Sequence, residues 1–367
     1  MVVKFSERVA GIEISGIRKI FEAAGPDSIN LGLGQPDFDT PQHIKDAAVK
    51  AIREGRTGYT TNNGIPELRA AISKKFKNEN GIKYHPDQVI VTAGASEALH
   101  IVMQALINPG DRVLCGDPGF VSYASLATIA GGRPVSVPLT KTLHIDVEKA
   151  KALMDKAKIF VLNTPGNPTG AVESKESIKA IVEYAADTDV TVVSDEVYEH
   201  FIYGKKHYSA AQFGDNVVTI NATSKTYAMT GWRLGYLAAS PEIVGQCLKV
   251  HQYCQACATS ISQYAAVAAY EGDQSAVATM RDEYEARRDL IWNGLTRMGF
   301  DFPRPEGAFY IFVPMKPALT QQIISGGVIA VPGTAFGVNA PEYTRFSYAT
   351  SRQNIMTALE RIERLVK

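Results

Sequence analysis

Residues 221–236 of the chain read NATSKTYAMTGWRLGY and directly follow the apolar, β-branched run 217–220. Such a run predicts a buried strand, so Lys225 lies just past a strand end, on a loop of small residues. A lysine there is an amine nucleophile toward a carbonyl when its neighbours lower its pKa. Arg233 follows after Gly231, where the backbone can approach a ligand closely. Together they indicate a cofactor that carries both an aldehyde and a phosphate, as pyridoxal phosphate does.

The alternative interpretation is that Lys225 and Arg233 are ordinary surface residues, and the pair Ser224-Lys225 alone favours that alternative. The whole stretch favours the cofactor site, because SKxxxMxGWRxGY resembles the lysine signature of the class I and II aminotransferases. In that family the lysine binds the cofactor covalently as a Schiff base.

Length and composition narrow the class of protein. The chain has 367 residues, which predicts two domains, and 45% of them are hydrophobic, enough for full cores. Lys and Arg total 38, as do Asp and Glu, so a net charge of zero gives no support for nucleic acid or an anionic membrane as a partner. No apolar run is long enough for a membrane span, and the N-terminus lacks a signal-peptide core. We therefore expect a cytoplasmic enzyme.

Three of the four cysteines form, with His251, the spacing C-x3-H-x2-C-x2-C over residues 247–257. This spacing suggests a metal site, yet the segment 243–270 is predicted to be mostly helical. On one straight helix these side chains lie along a single face and cannot surround a zinc ion tetrahedrally. We therefore predict a packing face of small residues and no metal, and the low use of cysteine fits a reducing compartment.

Strands alternate with helices through the centre of the chain. Runs rich in Val and Ile predict strands at 89–92, 112–115, 159–163, 190–194 and 217–220, and helices are predicted at 41–54, at 66–78 and after the turn AGASEAL at 93–99. This alternation is typical of an α/β domain with a mostly parallel sheet, which binds ligands beyond the carboxyl ends of its strands. Ser96, Asn167, Asp195 and Lys225 all follow predicted strand ends, so we expect their side chains to converge.

The two ends of the chain have a different pattern. A helical arm is predicted at 17–24, and LGLGQPDF at 31–38 is a glycine-rich turn. A long charged helix at 280–298, further strands and a final helix predict a smaller α+β domain. We therefore place an arm and part of the small domain at 1–40, a large cofactor-binding domain at 41–270, and a small domain at 271–367.

Several motifs agree in order and spacing with one family. They are LGxGxPDF, the small-residue turn at 93–96, NPTG at 167–170, SDEVY at 194–198, the lysine signature, and RxSY at 345–348. Over essentially its whole length the chain resembles the aspartate and aromatic aminotransferases of PLP fold type I, in the subgroup with a short arm. The resemblance implies pyridoxal 5'-phosphate as cofactor, small amino-acid and 2-oxo-acid substrates, and a homodimer with shared active sites.

The resemblance also implies the catalytic residues. Lys225 is expected to hold the cofactor and to move the proton at the substrate Cα, while Asp195 keeps the pyridine nitrogen protonated. Asn167 and Tyr198 are expected to donate hydrogen bonds to the phenolate oxygen of the ring. Without the family, a helix N-cap explains Asp195 and a plain turn explains Asn167.

The resemblance assigns the cofactor phosphate and the ring face to a second set of residues. Arg233, the backbone of Ala95 and Ser96, and the Ser96 hydroxyl are expected to bind the phosphate. Phe120 is expected to stack on the ring, although most aromatic residues are simply core residues. Tyr59 is expected to reach the phosphate in the neighbouring subunit, which would make the dimer necessary for function.

The resemblance further implies a site for the substrate α-carboxylate. Arg345 is expected to bind it as a bidentate fork, with help from Asn167 and Gly34. The alternative is a surface arginine. One position departs from the family: many relatives carry serine three residues before the lysine, where this chain has Ala222. Either one phosphate contact is lost, or a neighbouring hydroxyl at 223 or 224 substitutes.

The implied reaction is the transfer of an amino group from an L-amino acid, with aspartate favoured over an aromatic one, to 2-oxoglutarate by a ping-pong mechanism. A PLP-dependent β-lyase on the same fold is an alternative that would share the lysine, the aspartate and the arginine. A ligand-sensing regulator is a third interpretation, but it would need a basic DNA-binding module. Five residues of the arm are apolar or small and could close over a substrate side chain: Ile12, Ile14, Ser15, Gly16 and Ile17.

Overall fold

The computed structural model describes residues 3–12, 25 and 27–366, so the predicted arm helix at 17–24 and the arm residues 13–17 lie outside the described residues. The strands are, in chain order, β1 (Ile29–Asn30), β2 (Val89–Thr92), β3 (Arg112–Asp117), β4 (Arg133–Pro138), β5 (Ala157–Asn163), β6 (Thr191–Asp195), β7 (Val217–Ala222), β8 (Gly235–Ala238), β9 (Tyr310–Pro314), β10 (Val328–Ile329), β11 (Val331–Pro332) and β12 (Tyr343–Ser347). The helices are α1 (Glu7–Ala10), α2 (Gln42–Arg53), α3 (Pro66–Lys75), α4 (Ala95–Leu106), α5 (Ser122–Ile129), α6 (Val147–Met154), α7 (Lys175–Asp187), α8 (Thr223–Thr226), α9 (Pro241–Cys254), α10 (Ser260–Glu271), α11 (Ser275–Arg297), α12 (Pro317–Ser325) and α13 (Arg352–Val366).

The central sheet has seven strands in the order β2-β8-β7-β6-β5-β3-β4. All neighbours are parallel except β8, which runs antiparallel to both β2 and β7. The prediction of an α/β fold with a mostly parallel sheet is therefore confirmed. Because β2, β3, β5, β6 and β7 all run in one direction, their carboxyl ends share one edge of the sheet.

Helices cover both faces of this sheet. Leu99 and Val102 of α4 join Cys247 of α9 in an apolar cluster on one face, and Met154 of α6 and Ile181 of α7 belong to the cluster on the other. Every residue of β2, β7 and β8 is buried, as expected for strands covered on both sides. This packing makes the sheet a rigid frame for the loops that follow its strands.

A smaller antiparallel sheet, in the order β11-β12-β9, is formed by the C-terminal part of the chain. Residues of α11 and α13, among them Tyr284 and Ile355, pack in one buried cluster with Ile311 of β9 and Phe346 of β12. β1 pairs in parallel with β10, which joins the segment before residue 40 to this C-terminal region. The domain boundaries at 40 and 270 stay a prediction.

The segment 243–270 differs from its prediction. α9 ends at Cys254 and α10 begins at Ser260, so the segment is two helices and not one straight helix. Contacts from distant residues hold the break, since the Asn62 side-chain amide donates to the Ala256 carbonyl at 2.8 Å. Cys247 is buried while Cys254 is exposed, and the predicted single packing face is therefore wrong.

The other predicted helices within the described residues are confirmed with small shifts at their ends. α2 occupies the segment predicted at 41–54, and α11 starts five residues before the predicted 280. α3 ends at Lys75 and continues as a π-helical turn, Phe76–Asn80. Within residues 3–12, 25 and 27–366, no helix combines the length and the apolar character that a membrane crossing requires. The predicted cytoplasmic location stays a prediction.

Candidate active site

The shared carboxyl edge of the parallel strands opens into a cavity of about 260 Å³. Loops after β2, β3, β5, β6 and β7 line it, together with segments from both ends of the chain. The predicted site residues that line it are Gly34, Ala95, Ser96, Phe120, Asn167, Asp195, Tyr198, Lys225, Arg233 and Arg345. Sequence reasoning missed other lining residues, namely Leu99, Tyr123, Asn163, Thr230 and Tyr310.

Lys225 lies on α8, the single helical turn that begins directly after β7. Its Nζ atom donates a hydrogen bond to the Gly34 carbonyl at 2.6 Å and lies 5.9 Å from the centre of the Tyr198 ring. Burial lowers the pKa of Lys225 to about 8, and the positive charges of Arg345 and Arg233 act in the same direction. About one tenth of this amine is therefore neutral at pH 7, far more than at the ordinary lysine pKa, and the neutral form is what a nucleophile or a proton acceptor requires.

Asp195 is the last residue of β6 and is buried. Its Oδ2 accepts a hydrogen bond from the Tyr123 hydroxyl at 2.8 Å, and its Oδ1 accepts a longer one from the Val197 N–H at 3.4 Å. Burial raises the pKa of Asp195 to about 6. The residues after it form turns and not a helix, so the N-cap explanation does not apply. A buried carboxylate at a strand end favours a cationic partner in the cavity.

An anion cradle is built where β2 turns into α4. Gly94 has φ of +85°, and a Cβ placed there would lie 2.5 Å from the Arg233 Nη2 atom, so only glycine allows this approach. Arg233 itself has a positive φ of +53°, and its guanidinium donates to the Thr230 carbonyl at 3.0 Å and the Ala93 carbonyl at 3.2 Å. Ala95 and Ser96, in the first turn of α4, line the same cavity, and the first N–H groups of a helix have no acceptor within the helix.

The hydroxyls near Ala222 are not equivalent. Thr223 is fully buried, and its Oγ1 donates to the Leu234 carbonyl at 3.2 Å. Ser224 lines the cavity, as does Ala222. Of the two substitutes named above for the missing serine, only Ser224 is therefore placed to contact a ligand in the cavity.

Arg345 lies on β12, with only 1% of its surface exposed. Its guanidinium donates to the Asn167 Oδ1 atom at 2.9 Å and to the Gly32 carbonyl at 2.5 Å, and it contacts the ring of Tyr310, with 4.5 Å between Cζ and the ring centre. Its Nε has no hydrogen-bond partner, and no carboxylate of the described residues pairs with it. Burial lowers the pKa of Arg345 from its ordinary value. A buried guanidinium of this kind is a site for an anionic group of a ligand.

Two tyrosines and a glycine form the wall between the lysine and this arginine. The hydroxyls of Tyr198 and Tyr310 are 2.8 Å apart, and a Cβ at Gly34 would lie 2.0 Å from the Tyr310 hydroxyl. Burial raises the pKa of Tyr198 well above its usual range, so its hydroxyl stays protonated. Tyr310 is the last residue of the segment PEGAFY at 305–310, and no periodicity distinguishes it from a core residue of β9.

Phe120 and Tyr59 have different surroundings. Phe120 lines the cavity and packs edge-on against Tyr123, with 5.5 Å between the ring centres. Tyr59 does not reach the cavity of its own chain. It is 89% exposed and lines a separate depression of about 240 Å³ with Arg56 and Tyr264.

The fold and the cavity are those of an enzyme that transfers amino groups. The chain belongs to the aminotransferases of class I and II, whose family model matches residues 26–362. Its architecture is the α/β fold of PLP fold type I that the resemblance implied.

Individual relatives are similar over nearly the whole chain. The probable aspartate aminotransferase of Methanocaldococcus jannaschii is 48% identical over 366 residues, which cover 96% of this chain and 97% of the relative. The aromatic-amino-acid aminotransferase 2 of Thermococcus litoralis is 41% identical over 99% of this chain and 98% of its own length. The solved structure of the aspartate aminotransferase from Thermus thermophilus with maleate has a TM-score of 0.94 at 36% identity and covers 99% of this chain and 100% of that one.

Proposed function

We propose that this aminotransferase uses pyridoxal 5'-phosphate to move an amino group from an L-amino acid to 2-oxoglutarate by a ping-pong mechanism. One observation carries the proposal: a single cavity contains a lysine of lowered pKa, a buried carboxylate, and two guanidinium groups without acidic partners among the described residues. Such a set matches a ligand with an aldehyde, a ring nitrogen and a phosphate, joined by a substrate with a carboxylate.

The residues of the cavity fit this cofactor. The cradle of Gly94, Arg233 and the first turn of α4 suits a phosphate group, because its N–H groups and guanidinium carry positive charge. Ser96 and Ser224 would add hydroxyl donors to the phosphate. Asp195 would pair with the ring nitrogen, which its burial favours. Phe120 would cover one face of the ring.

The chemistry depends on four side chains around the reacting atoms. Bound pyridoxal phosphate supplies a ring that accepts the electron pair released at the substrate Cα. Lys225 takes the proton from that carbon at its Nζ and returns it, which a pKa of about 8 allows. Asp195 would stabilise a positive charge on the ring nitrogen, and Asn167 and Tyr198 would donate to the phenolic oxygen of the ring.

Arg345 orients the substrate by its α-carboxylate. Its unpartnered Nε and the two terminal nitrogens give it donors for a bidentate contact, and Asn167 and the wall at Gly34 complete the site. Because Arg345 is buried, a carboxylate bound to it is shielded from water, and its interaction is stronger than at the surface. This places Cα in a fixed position relative to the lysine.

A homodimer completes the proposed site. Tyr59 is exposed and does not line the cavity of its own chain, which supports a role across a subunit boundary at the partner's phosphate.

We propose a division into an arm with part of the small domain at 1–40, a large domain at 41–270 and a small domain at 271–367. The pairing of β1 with β10 supports it. The cavity lies among segments from all three.

The lining of the cavity admits two classes of amino donor, and the choice between them rests on the relatives. Its cationic side chains, among the described residues, are Lys225, Arg233 and Arg345, and each already has a role in the proposed chemistry. A second carboxylate therefore has no dedicated cation, and an aromatic ring has apolar surface such as Leu99. The relatives named above include both aspartate and aromatic-amino-acid aminotransferases. We propose aspartate as the favoured donor, with aromatic amino acids also accepted.

The test is a panel of amino acids with 2-oxoglutarate as acceptor, measured as kcat/KM. We expect one glutamate per donor consumed, and aspartate and phenylalanine within about 100-fold of each other, or roughly 2.7 kcal/mol. Release of pyruvate and ammonia in place of glutamate would identify a β-lyase. A preference beyond a thousandfold would contradict a shared pocket without a dedicated cation.

A further inference from the structure

A carboxylate outside the cavity joins the central sheet to the smaller sheet. Asp117, the last residue of β3, is 4% exposed, and its carboxylate accepts N–H groups from both Val338 and Asn339, each at 3.2 Å. Beside it, the Gly119 N–H donates to the Phe336 carbonyl at 2.8 Å. We call these three contacts the Asp117 bridge.

The geometry of the loop shows how closely the two segments fit. Gly337 has φ of +143°, and a Cβ there would lie 1.9 Å from the Asp117 Oδ1 atom. Only glycine therefore lets the loop approach the carboxylate. No cation of the described residues forms an ion pair with Asp117, so N–H groups of the loop and the Ser136 hydroxyl, at 2.7 Å, are the donors that stabilise its charge.

The loop held by the bridge belongs to the hairpin that carries Arg345. β11 and β12 pair with Val331 opposite Arg345, and the connection between these strands contains the residues that contact Asp117. From the same loop, the ring of Phe336 lies 4.8 Å from the Arg345 Cζ atom. Moving the loop therefore moves one of the aromatic walls of Arg345.

The other side of the bridge leads to the cofactor-binding layer. Asp117 and Gly119 come directly before Phe120, which lines the main cavity. A larger cavity of about 660 Å³ adjoins this place, and Phe120, Asp117, Gly337 and Phe336 are among its lining residues. The bridge thus lies between the ring-binding face and the carboxylate-binding arginine.

We propose that Asp117 is a positioning residue for the substrate carboxylate: through residues 336–339 it fixes Arg345 relative to the cofactor layer. This rests on the proposed role of Arg345. Without the bridge the guanidinium would remain on β12, but its Phe336 wall and its distance from Phe120 would no longer be fixed. Binding of carboxylate ligands should weaken, while the phosphate cradle at the other end of the cavity should not change.

The experiment measures the dissociation constant of maleate, a dicarboxylate that cannot react, on the cofactor-saturated enzyme. Asp117→Asn is nearly isosteric, yet either orientation of the amide turns an NH2 group toward a backbone N–H of the loop. Gly337→Ala breaks the same contact from the opposite side. We expect both variants to raise the maleate dissociation constant about tenfold or more, with unchanged affinity for pyridoxal phosphate.

Ser136→Ala is the matched control, because it removes a donor to the same carboxylate but leaves both loop contacts. We expect its maleate affinity to stay within about twofold of wild type. A merely structural role would lower the thermal unfolding midpoint of Asp117→Asn without changing its maleate affinity. If Arg345→Lys still weakens maleate binding, that result would overturn the role of Asp117 but leave the assignment of Arg345 intact. If Arg345→Lys also has no effect, both the assignment of Arg345 and this proposal fail.

Discussion

The two guanidinium groups of the cavity are built in opposite ways. Arg233 is exposed, and its neighbours Gly94 and Thr230 belong to backbone turns close to strand ends. Arg345 is buried, and its hydrogen bonds go to Gly32 and Asn167, which come from distant parts of the chain. Both sites join distant segments, since Arg233 also donates to the Ala93 carbonyl, but the first site is exposed and the second is enclosed.

This difference indicates which ligand each site serves. An open cradle can receive further donors from another molecule, so it suits a phosphate that stays bound and is completed by a partner subunit. The desolvation cost of an enclosed guanidinium is offset only when an anion binds to it. Such a site suits a substrate carboxylate that binds and dissociates in each catalytic cycle. Substitutions that affect one site and spare the other test this difference.

Lys225→Ala should have the largest effect. Removing the amine eliminates the group that we propose moves the proton at Cα, and acid–base catalysis alone accounts for about 10²- to 10⁴-fold in rate. We expect turnover to fall by at least that much, with loss of the pH-dependent visible absorbance of the loaded enzyme. Both anion sites should remain, so pyridoxal phosphate and maleate should still bind. Wild-type rate and absorbance in this variant would mean that another lysine carries the chemistry.

Arg345→Leu and Arg233→Leu should affect substrate binding and cofactor binding separately. Loss of a buried partner for a carboxylate costs about 2–5 kcal/mol, so Arg345→Leu should raise KM for amino acids by about 30-fold or more without weakening cofactor binding. Arg233→Leu should do the reverse and raise the dissociation constant of pyridoxal phosphate. The two constants are measured on each variant by steady-state kinetics and by cofactor titration.

Salt gives a second comparison on the wild-type enzyme. Exposed charges are screened at high ionic strength and buried ones much less. Cofactor affinity should therefore fall more between about 0.05 and 0.5 M salt than maleate affinity does. Equal salt dependence of both ligands would contradict the distinction between an open and an enclosed site.

The convergence of residues at the sheet edge was easier to predict from sequence than the enclosed arginine site. Ser96, Asp195 and Lys225 each follow a predicted strand, and parallel strands end at one edge. Arg345 was assigned by resemblance, and its partner Gly32 was not expected at all. Its location depends on the pairing of β12 with β9 and β11, and local pattern does not specify which strands meet.

Tyr123 and the break at residue 255 are two further features that local sequence pattern does not predict. The hydroxyl that binds Asp195 comes from an aromatic residue that pattern alone assigns to a core. The break between α9 and α10 contains no Gly or Pro, so nothing local ends the helix. Asn62, almost two hundred residues earlier in the chain, supplies the hydrogen bond that holds it. Contacts between distant segments decide these features.

Asp195→Asn should reveal how much the buried carboxylate of Asp195 lowers the free energy of unfolding of the cofactor-free protein. A carboxyl whose pKa is raised from 3.8 to about 6 by folding binds more protons in the folded than in the unfolded chain between these values. Its contribution therefore makes wild type less stable as pH rises through this window, and the penalty is complete above pH 6. The asparagine does not titrate and keeps an acceptor for Tyr123.

The free energy of unfolding, measured by denaturant at pH 4, 5, 6 and 7, tests this. As pH rises, the free energy of unfolding of the variant should increase relative to that of wild type by up to about 3 kcal/mol, because each pKa unit corresponds to about 1.4 kcal/mol. Cofactor binding should weaken in the same variant, since the ring nitrogen loses its counter-charge. A constant difference between the two proteins from pH 4 to 7 would show that burial does not shift this carboxyl.

Tyr59→Phe should have the smallest effect and tests whether the open site is completed by a partner. A charge-assisted hydrogen bond to phosphate contributes about 1.5–3 kcal/mol, so the dissociation constant of pyridoxal phosphate should rise about 10- to 100-fold. Maleate binding, measured at saturating cofactor, should not change, because Tyr59 lies outside the enclosed site. A weakened maleate affinity would mean that the residue acts on the fold of its own chain.

Subunit exchange then decides where Tyr59 acts. If Tyr59 reaches across the dimer, mixing Tyr59→Phe with Lys225→Ala creates one site per mixed dimer that has both the lysine and the tyrosine. Activity at limiting cofactor should therefore rise after mixing. The matched control mixes wild type with a chain carrying both substitutions, where the site with the lysine meets only the partner's phenylalanine, and cofactor retention should fall. If activity changes in neither mixture on subunit exchange, each chain uses its own tyrosine, and both anion sites of the cavity are complete within one subunit.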